Sequence, residues 1–66
     1  MKVKDLLKKI SDVKLYIEFI DKQSYASYGF YTKNDLIYND KFNNDKIDNI
    51  TTQYYDNKRI LVIYIK

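Results

Sequence analysis

Residues 59–66, Arg59-Ile-Leu-Val-Ile-Tyr-Ile-Lys66, determine which kind of fold this sequence can adopt. It is an almost unbroken run of β-branched and aromatic residues, which is typical of a β-strand that is covered on both faces. Because successive side chains of a strand point to opposite faces, the run divides into two apolar sets. One set is Leu61, Ile63 and Ile65, and the other is Ile60, Val62 and Tyr64. The fold must therefore bury a strand that is apolar on both sides.

The length of the chain limits how well both faces can be covered. Its 66 residues predict one domain, residues 1–66, and a domain of this size rarely supplies layers for both sides of a sheet. The sequence contains neither cysteine nor histidine, so neither a disulfide nor a usual zinc site can stabilise it. Self-association is the remaining common means of stabilising such a small domain, so a homodimer is one expected state.

The N-terminal segment has the spacing of an amphipathic helix. Its apolar residues recur at i, i+3, i+4 and i+7, with lysines and Asp5 around them. These apolar residues are Val3, Leu6, Leu7 and Ile10. A helix of about ten residues is marginal by itself, so we expect it to dock on one face of the sheet.

Two strands are predicted to follow this helix. Residues 13–21 alternate apolar and polar side chains, which predicts the first strand, and residues 25–31 predict the second. Gly29 within the second strand indicates a β-bulge or a close contact. The inward side chains are expected to be Val13, Leu15, Ile17 and Phe19 in the first strand and Ala26, Tyr28 and Phe30 in the second.

The middle of the chain allows two interpretations. Thr32 and Asp35 have the spacing of a capping box, which predicts a short helical turn through Leu36 and Ile37. The alternative is a short strand over residues 36–38. Residues 39–46 form a polar loop, in which we expect Phe42 to be the only anchor.

A third strand is predicted to begin at Ile47 or Ile50 and to end at Tyr55, followed by a tight hairpin. The simplest hairpin has Asn57 and Lys58 at its tip, although a longer loop is an alternative. With that tip, the expected pairs are Tyr54 with Leu61, Thr52 with Ile63, Ile50 with Ile65, Tyr55 with Ile60, Gln53 with Val62 and Thr51 with Tyr64.

The predicted fold class is α+β, with a short N-terminal helix packed on one face of a mainly antiparallel sheet of about four strands. The other face of this sheet then has no layer of its own. It is expected to show Tyr16, Ile20, Tyr55, Ile60, Val62 and Tyr64. Because contiguous apolar patches of this kind usually bind a partner, and tyrosine is enriched in interfaces, we interpret these residues as a partner-binding surface. Binding through an exposed strand edge, instead of this face or together with it, is an alternative, and self-pairing across this face to form a dimer is equally compatible with the sequence.

The sequence carries none of the usual catalytic groups. Histidine and cysteine are absent, the serines have no histidine to activate them, and Gly29 is the single glycine, so no phosphate-binding glycine loop exists. The acidic residues Asp40, Asp45 and Asp48 do not have the spacing of a calcium-binding loop. We therefore predict a protein that is not an enzyme, with no catalytic residue, no cofactor and no metal site.

A nucleic-acid-binding module is the alternative function. The chain has eight tyrosines and a formal net charge of +3, and tyrosines beside basic side chains can stack bases and neutralise phosphates. The residues that would carry this function are Lys14, Lys58, Arg59, Tyr64 and Lys66.

The cellular location is predicted from what the N-terminal segment lacks. Lysines and Asp5 interrupt the apolar residues after Met1, so no signal peptide is expected, and no apolar run has membrane-spanning length. These features, together with the absence of cysteine, predict a cytoplasmic protein.

The two ends of the chain resemble a group of known proteins. The opening Met1-Lys-Val-Lys-Asp-Leu-Leu-Lys-Lys-Ile10 and the closing Ile60-Leu-Val-Ile-Tyr-Ile65 are similar to the ends of small proteins encoded by phages and mobile elements of low-GC bacteria. Those with known roles include anti-CRISPR proteins and other inhibitors of host defence, which bind an effector stoichiometrically. The resemblance implies an inhibitor of a bacterial effector protein or nucleoprotein complex, and it leaves the target open.

Overall fold

The computed structural model describes residues 1–65 of the chain. In chain order the elements are helix α1 (Val3–Leu7), strand β1 (Tyr16–Asp21), strand β2 (Ser27–Thr32), helix α2 (Lys33–Tyr38), strand β3 (Ile47–Tyr55) and strand β4 (Lys58–Ile65). The four strands form one sheet in the order β2-β1-β4-β3. The fold is therefore α+β, with a four-stranded sheet and two short helices.

The sheet is mixed, because its two central strands run parallel to each other. β1 pairs antiparallel with β2, and β3 pairs antiparallel with β4, but β1 and β4 are parallel. The expected antiparallel pairing thus holds for the two outer pairs only. The cause is the connection from β2 to β3: α2 and residues 39–46 return the chain to the end of the sheet at which β2 began. β3 therefore runs in the direction of β2, and β4 runs in the direction of β1.

One face of the sheet, the core face, carries most of the buried side chains that the strands contribute. It bears Ile17, Phe19, Ile63 and Ile65, which are at most 1% exposed. The same buried cluster contains Val3 and Leu7 of α1, Leu36 of α2 and Phe42 of the loop. The Phe42 ring stacks on the Phe19 ring with 4.3 Å between centroids, so the expected anchor of the loop is confirmed.

Helix α1 ends at Leu7, although the apolar spacing extends to Ile10. The N–H group of Ile10 donates to the carbonyl of Leu7, and the N–H group of Lys9 donates to the carbonyl of Leu6. Bonds of this 3₁₀ type tighten and finish the last turn of a helix. Ile10 nevertheless packs against the core cluster.

Strand β1 begins three residues later than residues 13–21 predict, because Asp12 forms a turn. Its carboxylate accepts a hydrogen bond from the Lys14 N–H at 2.9 Å, and its carbonyl accepts one from the Leu15 N–H at 3.3 Å. Such side-chain-to-backbone bonds favour turns over extended strand. Val13 is 44% exposed on this turn, so the prediction that it faces inward is wrong.

The predicted bulge in β2 is confirmed, and it changes which aromatic ring faces the core. The register shifts opposite the Phe19–Ile20 step, where Gly29 has a φ of +106°. Beyond the bulge Tyr31 faces inward, 5.9 Å from the Phe19 ring, and Phe30 is left 45% exposed on the other face. The prediction that Phe30 faces inward is therefore wrong, because a bulge offsets the alternation of a strand.

The middle of the chain forms the helix and not the alternative strand. Thr32 Oγ1 accepts a hydrogen bond from the Asp35 N–H at 3.1 Å, and Asp35 Oδ2 accepts one from the Thr32 N–H at 2.9 Å. This reciprocal pair is a capping box, which satisfies two backbone donors at the start of α2. The helix then buries Leu36.

The β3–β4 hairpin has Asp56 and Asn57 at its tip, so the predicted tip at Asn57 and Lys58 is wrong. Both turn residues have positive φ, at 55° and 63°, as a two-residue type I′ turn requires. Asp and Asn tolerate positive φ far better than Lys does, which explains why Lys58 begins β4 instead.

The change of tip shifts the predicted register by two residues. The observed pairs are Tyr55 with Lys58, Tyr54 with Arg59, Gln53 with Ile60, Thr52 with Leu61, Thr51 with Val62 and Ile50 with Ile63. Because side chains alternate with a period of two, an even shift leaves every residue on its predicted face.

Candidate functional site

The second face of the sheet, the outer face, bears all six predicted partner-binding residues. Parallel pairing of β1 with β4 places Ile20 opposite Tyr64, and antiparallel pairing of β3 with β4 places Gln53 opposite Ile60. Ile60 and Val62 are buried, yet neither belongs to the cluster on the core face. Their burial therefore depends on groups outside that cluster.

The six residues differ in how far a partner could reach them. Tyr55 is 60% exposed and Tyr16 is 43% exposed, whereas Ile60 and Val62 are 3% and 0% exposed. Ile20 and Tyr64 are half-buried. The outer face is therefore not a continuous apolar sheet surface, because the aliphatic side chains at its centre are already out of contact with water.

Aromatic rings from the two edge strands meet beside the buried Ile60. Phe30 of β2 and Tyr55 of β3 lie on strands that are separated by β1 and β4, yet their rings meet edge to face, with 5.6 Å between centroids. Together with Tyr16 they form what we call the aromatic arch (Tyr16, Phe30 and Tyr55). Beneath the arch Ile60 lines a shallow, mostly apolar cavity of about 310 Å³.

The arch is amphipathic, since basic and acidic groups lie at its rim. Lys58 and Asp56 line the same cavity, and the Lys58 ammonium group is 5.8 Å from the centroid of the Tyr16 ring. A cation over an aromatic face is favourable by about 0.5–1 kcal/mol at exposed sites. Tyr16 and Tyr55 present a hydroxyl group as well as a ring, but Phe30 has no polar atom in its side chain.

Tyr64 lies at the opposite end of the outer face, in a separate group of residues. It is opposite Ile20, which is four residues from Tyr16 along β1, a distance of about 13 Å in an extended strand. Its ring meets that of Tyr25 at 6.3 Å, beside an ion pair of 3.4 Å between Lys22 and Asp48. The predicted partner-binding residues therefore divide into two groups at the two ends of the face.

A hydrogen-bonded turn holds Tyr25 at this second end. The Tyr25 backbone has a φ of +59°, and its N–H donates to the Asp21 carbonyl at 2.8 Å. The Asp21 carboxylate accepts hydrogen bonds from the N–H groups of Gln23 and Ser24 and from the Tyr28 hydroxyl, at 2.8, 3.1 and 2.9 Å. These bonds stabilise the carboxylate and lower the pKa of Asp21, with the two backbone bonds contributing most. The hydrogen bond from the Tyr28 hydroxyl to the Asp21 carboxylate also raises the pKa of Tyr28, because it favours the protonated phenol.

Three of the five residues predicted to bind nucleic acid lie together. Lys14, Lys58 and Arg59 line one cavity of about 560 Å³, beside Tyr16 and Asp12. Tyr64 lies at the other end of the sheet, and Lys66 is outside the described residues.

The guanidinium group of Arg59 is already engaged within the chain. Its Nη2 atom donates a hydrogen bond to the Tyr54 hydroxyl at 2.8 Å, and its Cζ atom lies 5.1 Å from the centroid of the Tyr54 ring. Sequence reasoning did not find this pair, because the hairpin register that places Tyr54 opposite Arg59 depends on the turn. It also missed Phe30, whose exposed position follows from the bulge at Gly29.

The acidic side chains of the described residues do not gather into a metal site. Across residues 1–65 the structure contains no group of three or more Asp, Glu, His or Cys side chains placed to share one ion. Asp48 lies in β3, where it pairs with Lys22, rather than in the loop with Asp40 and Asp45.

Comparison with known proteins found no relative of this chain. No protein-family model, no curated protein and no solved structure matches the chain. Neither helix within residues 1–65 has the length and the apolar composition that crossing a bilayer requires.

Proposed function

We propose that the protein is a non-enzymatic binding protein that occludes a surface of a bacterial effector through its aromatic arch. One observation supports this most directly. Phe30, Tyr55 and Tyr16 remain 45%, 60% and 43% exposed, although the Phe30 and Tyr55 rings contact each other and all three rings line one cavity with the buried Ile60. Exposed aromatic rings held in a rigid group are typical of binding hot spots.

The arrangement favours a partner over simple self-coverage. The single chain already buries Ile60 and Val62, at 3% and 0% exposure, so no partner is needed to cover these two residues. What remains exposed is the outward surface of the rings themselves. Apolar surface removed from water contributes about 25 cal/mol per Å², so the phenylalanine ring would gain most from a partner.

The charges at the arch indicate the chemistry of the partner surface. Lys58 stands beside the rings, and the chain carries a formal net charge of +3. A mimic of nucleic acid would carry the opposite sign, so we propose occlusion of an apolar patch with an acidic rim. The core face takes α1 and the connection from β2 to β3 in this proposal, which leaves the outer face for the partner.

The resemblance of the two chain ends to phage and mobile-element proteins supplies the target class. It favours an anti-CRISPR-like inhibitor that acts in the cytoplasm of a bacterial host. A CRISPR nuclease complex is therefore the first effector to assay, with stoichiometric inhibition as the expected mode.

The proposal is tested by paired surface variants. Tyr55→Lys and Phe30→Lys place charge on the arch, and Tyr38→Lys makes the same change on α2, where the side chain is 87% exposed. We expect the wild type and Tyr38→Lys to capture the same effector from a bacterial lysate. Binding of the purified effector should weaken at least tenfold in both arch variants. Equal binding by all four proteins would contradict the proposal.

Nucleic-acid binding is the second candidate, because Lys14, Lys58 and Arg59 line one cavity beside Tyr16. It predicts that affinity for a single-stranded oligonucleotide falls steeply with salt, and that Lys14→Ala reduces the slope by about one. Lys8→Ala is the control, because Lys8 is exposed and does not line this cavity. Fluorescence anisotropy between low and physiological salt measures both. Absence of binding at low salt would exclude this function.

A further inference from the structure

The edge of the sheet formed by β3 has backbone groups that no other strand satisfies within residues 1–65. β3 is the last strand in the order β2-β1-β4-β3, and eight of its nine residues are exposed. In an antiparallel pair, consecutive residues direct their N–H and C=O groups alternately toward the partner strand and away from it. The side of β3 that faces away from β4 is therefore a template for another strand.

The hairpin turn determines which residues have outward-directed groups. In a two-residue hairpin the residues that flank the turn, here Tyr55 and Lys58, exchange both hydrogen bonds. Counting back along β3, Ile50, Thr52 and Tyr54 direct their N–H and C=O groups away from β4. We call these three residues the free edge.

At the beginning of β3, the N-terminal segment of the chain satisfies the backbone groups. There the Ile47 N–H donates to the Met1 carbonyl at 3.0 Å, and the Val3 N–H donates to the Asp45 carbonyl at 3.0 Å. Lys2 and Lys46 form an antiparallel bridge beside these bonds. The chain thus supplies its own neighbour at the first residue of the edge but not at the free edge.

The sequence of the free edge lacks the features that keep edge strands apart. Residues 49–55 read Asn-Ile-Thr-Thr-Gln-Tyr-Tyr, with no charged residue and no proline, and the only register shift of β3 lies before Ile50. Natural edges are usually interrupted by lysine, proline or a bulge. The opposite edge strand, β2, has such a bulge at Gly29.

We propose that the free edge pairs with the free edge of a second copy of this chain. The two β3 strands run antiparallel about a two-fold axis, with Thr52 of each copy opposite Thr52 of the other. Ile50 of one copy then lies opposite Tyr54 of the other, twice. In each of these pairs the two residues exchange two backbone hydrogen bonds, and the two sheets become one sheet of eight strands.

Side-chain complementarity supports a second copy as the occupant. Ile50 and Tyr54 are 40% and 70% exposed, and both lie on the core-face side of β3, since they pair with Ile63 and Arg59 of β4. Paired across the axis, each apolar side chain covers the other, which is a favourable combination in antiparallel sheets. No charged residue opposes a like charge between residues 49 and 55. A strand that complements itself along this length fits its own copy better than an unrelated peptide.

The expected strength follows from the size of the contact. Pairing of one short edge buries on the order of 1,000 Å², the lower limit for a specific interface, so we expect association in the micromolar range. The two-fold axis is perpendicular to the sheet and places both aromatic arches on the same side of the dimer. The proposal does not depend on the proposed function, because the arch and the free edge do not share residues.

Light scattering against concentration tests the dimer. Between about 5 and 500 µM the mass should rise from 8.0 kDa toward twice that value. Thr52→Lys places two ammonium groups opposite each other on the axis, and Thr52→Pro removes a donor that β4 does not use. Both variants should weaken association at least tenfold while keeping the circular dichroism spectrum. Gln23→Lys makes the same charge change on an exposed turn and should still dimerise.

Hydrogen exchange locates the contact in the wild type, independently of any variant. At high concentration the amides of Ile50, Thr52 and Tyr54 should exchange at least tenfold more slowly than at low concentration. Those of Thr51 and Gln53, which bond β4, should be protected at both. A monomer at every concentration, a dimer that leaves the three amides unprotected, or protection that requires another protein would each overturn the proposal.

Discussion

The two faces of the sheet are closed in different ways. The core face is covered by side chains from outside the sheet, and Phe42 stacks on Phe19 at 4.3 Å. The outer face is closed by rings of its own edge strands, and Phe30 meets Tyr55 at 5.6 Å above Ile60. A strand that is apolar on both sides therefore does not need a separate layer on each side. Aromatic side chains on the edges can bury the second side and still expose their own outward surface.

The largest expected effect compares one phenylalanine from each face. Phe42 is 2% exposed and joins the loop to the core, so Phe42→Ala should reduce the free energy of unfolding by about 3 kcal/mol. Phe30 is 45% exposed, so Phe30→Ala should cost about 1 kcal/mol. Urea unfolding of both variants measures the difference. Equal losses would mean that the arch contributes as much to stability as the core face does.

The second prediction concerns cooperation within the arch. Ile60→Ala should destabilise the protein by about 2 kcal/mol although no helix or loop residue of the core cluster covers Ile60. If the Tyr55 ring provides this burial, Ile60→Ala and Tyr55→Ala should be non-additive by at least about 0.5 kcal/mol. Ile63→Ala, on the core face, should combine additively with Tyr55→Ala. A double-mutant cycle by thermal or urea unfolding decides between coupling and independence.

The features that could be predicted from the sequence are those that depend on neighbouring residues. The apolar run of β4, the capping box of Thr32 and Asp35, and the buried ring of Phe42 each depend on residues close in sequence or on one side chain. An alternating pattern also assigned most strand residues to the correct face, because an even error in register does not change the face.

The remainder depends on contacts between distant residues. The parallel pairing of β1 with β4 results from the path of the connection, which no spacing reveals. Phe30 moved to the outer face because the bulge at Gly29 offsets the alternation by one residue. Ile60 lines a cavity with rings from two strands that are not adjacent, so the predicted patch of six exposed residues could not be corrected from the sequence.

The third prediction tests the hairpin turn that sets the register of β3 against β4. Asn57 has a φ of +63°, so Asn57→Gly should stabilise the protein by about 0.5 kcal/mol. Lys58 begins β4 in extended conformation, where Lys58→Gly should destabilise by about 0.5–1 kcal/mol. Thermal unfolding should therefore show a higher Tm than the wild type for Asn57→Gly and a lower Tm for Lys58→Gly. If Lys58→Gly stabilised the protein instead, the tip would lie at Asn57 and Lys58 and the register would shift by two residues.

The smallest expected effect is at Asp21, whose carboxylate connects the two faces at one end of the sheet. It holds the turn that places Tyr25 against Tyr64 on the outer face, and it accepts a hydrogen bond from Tyr28, whose ring lies 5.7 Å from that of Phe42. The pKa of Asp21 is lowered from its ordinary value of 3.8, chiefly by the backbone bonds of the turn.

A carboxylate with a lowered pKa in the folded state stabilises the protein above its ordinary pKa, and this contribution is lost as the pH falls through the lowered value. Stability should therefore decrease from about pH 4 downward more steeply in the wild type than in Asp21→Asn, because the amide does not titrate. Carbon-detected NMR titration of the Asp21 carboxyl provides the folded-state pKa directly. Tyr28→Phe removes one bond of three and should raise that pKa only in part, whereas full return to 3.8 would show that the phenol, and not the turn, stabilises the charge.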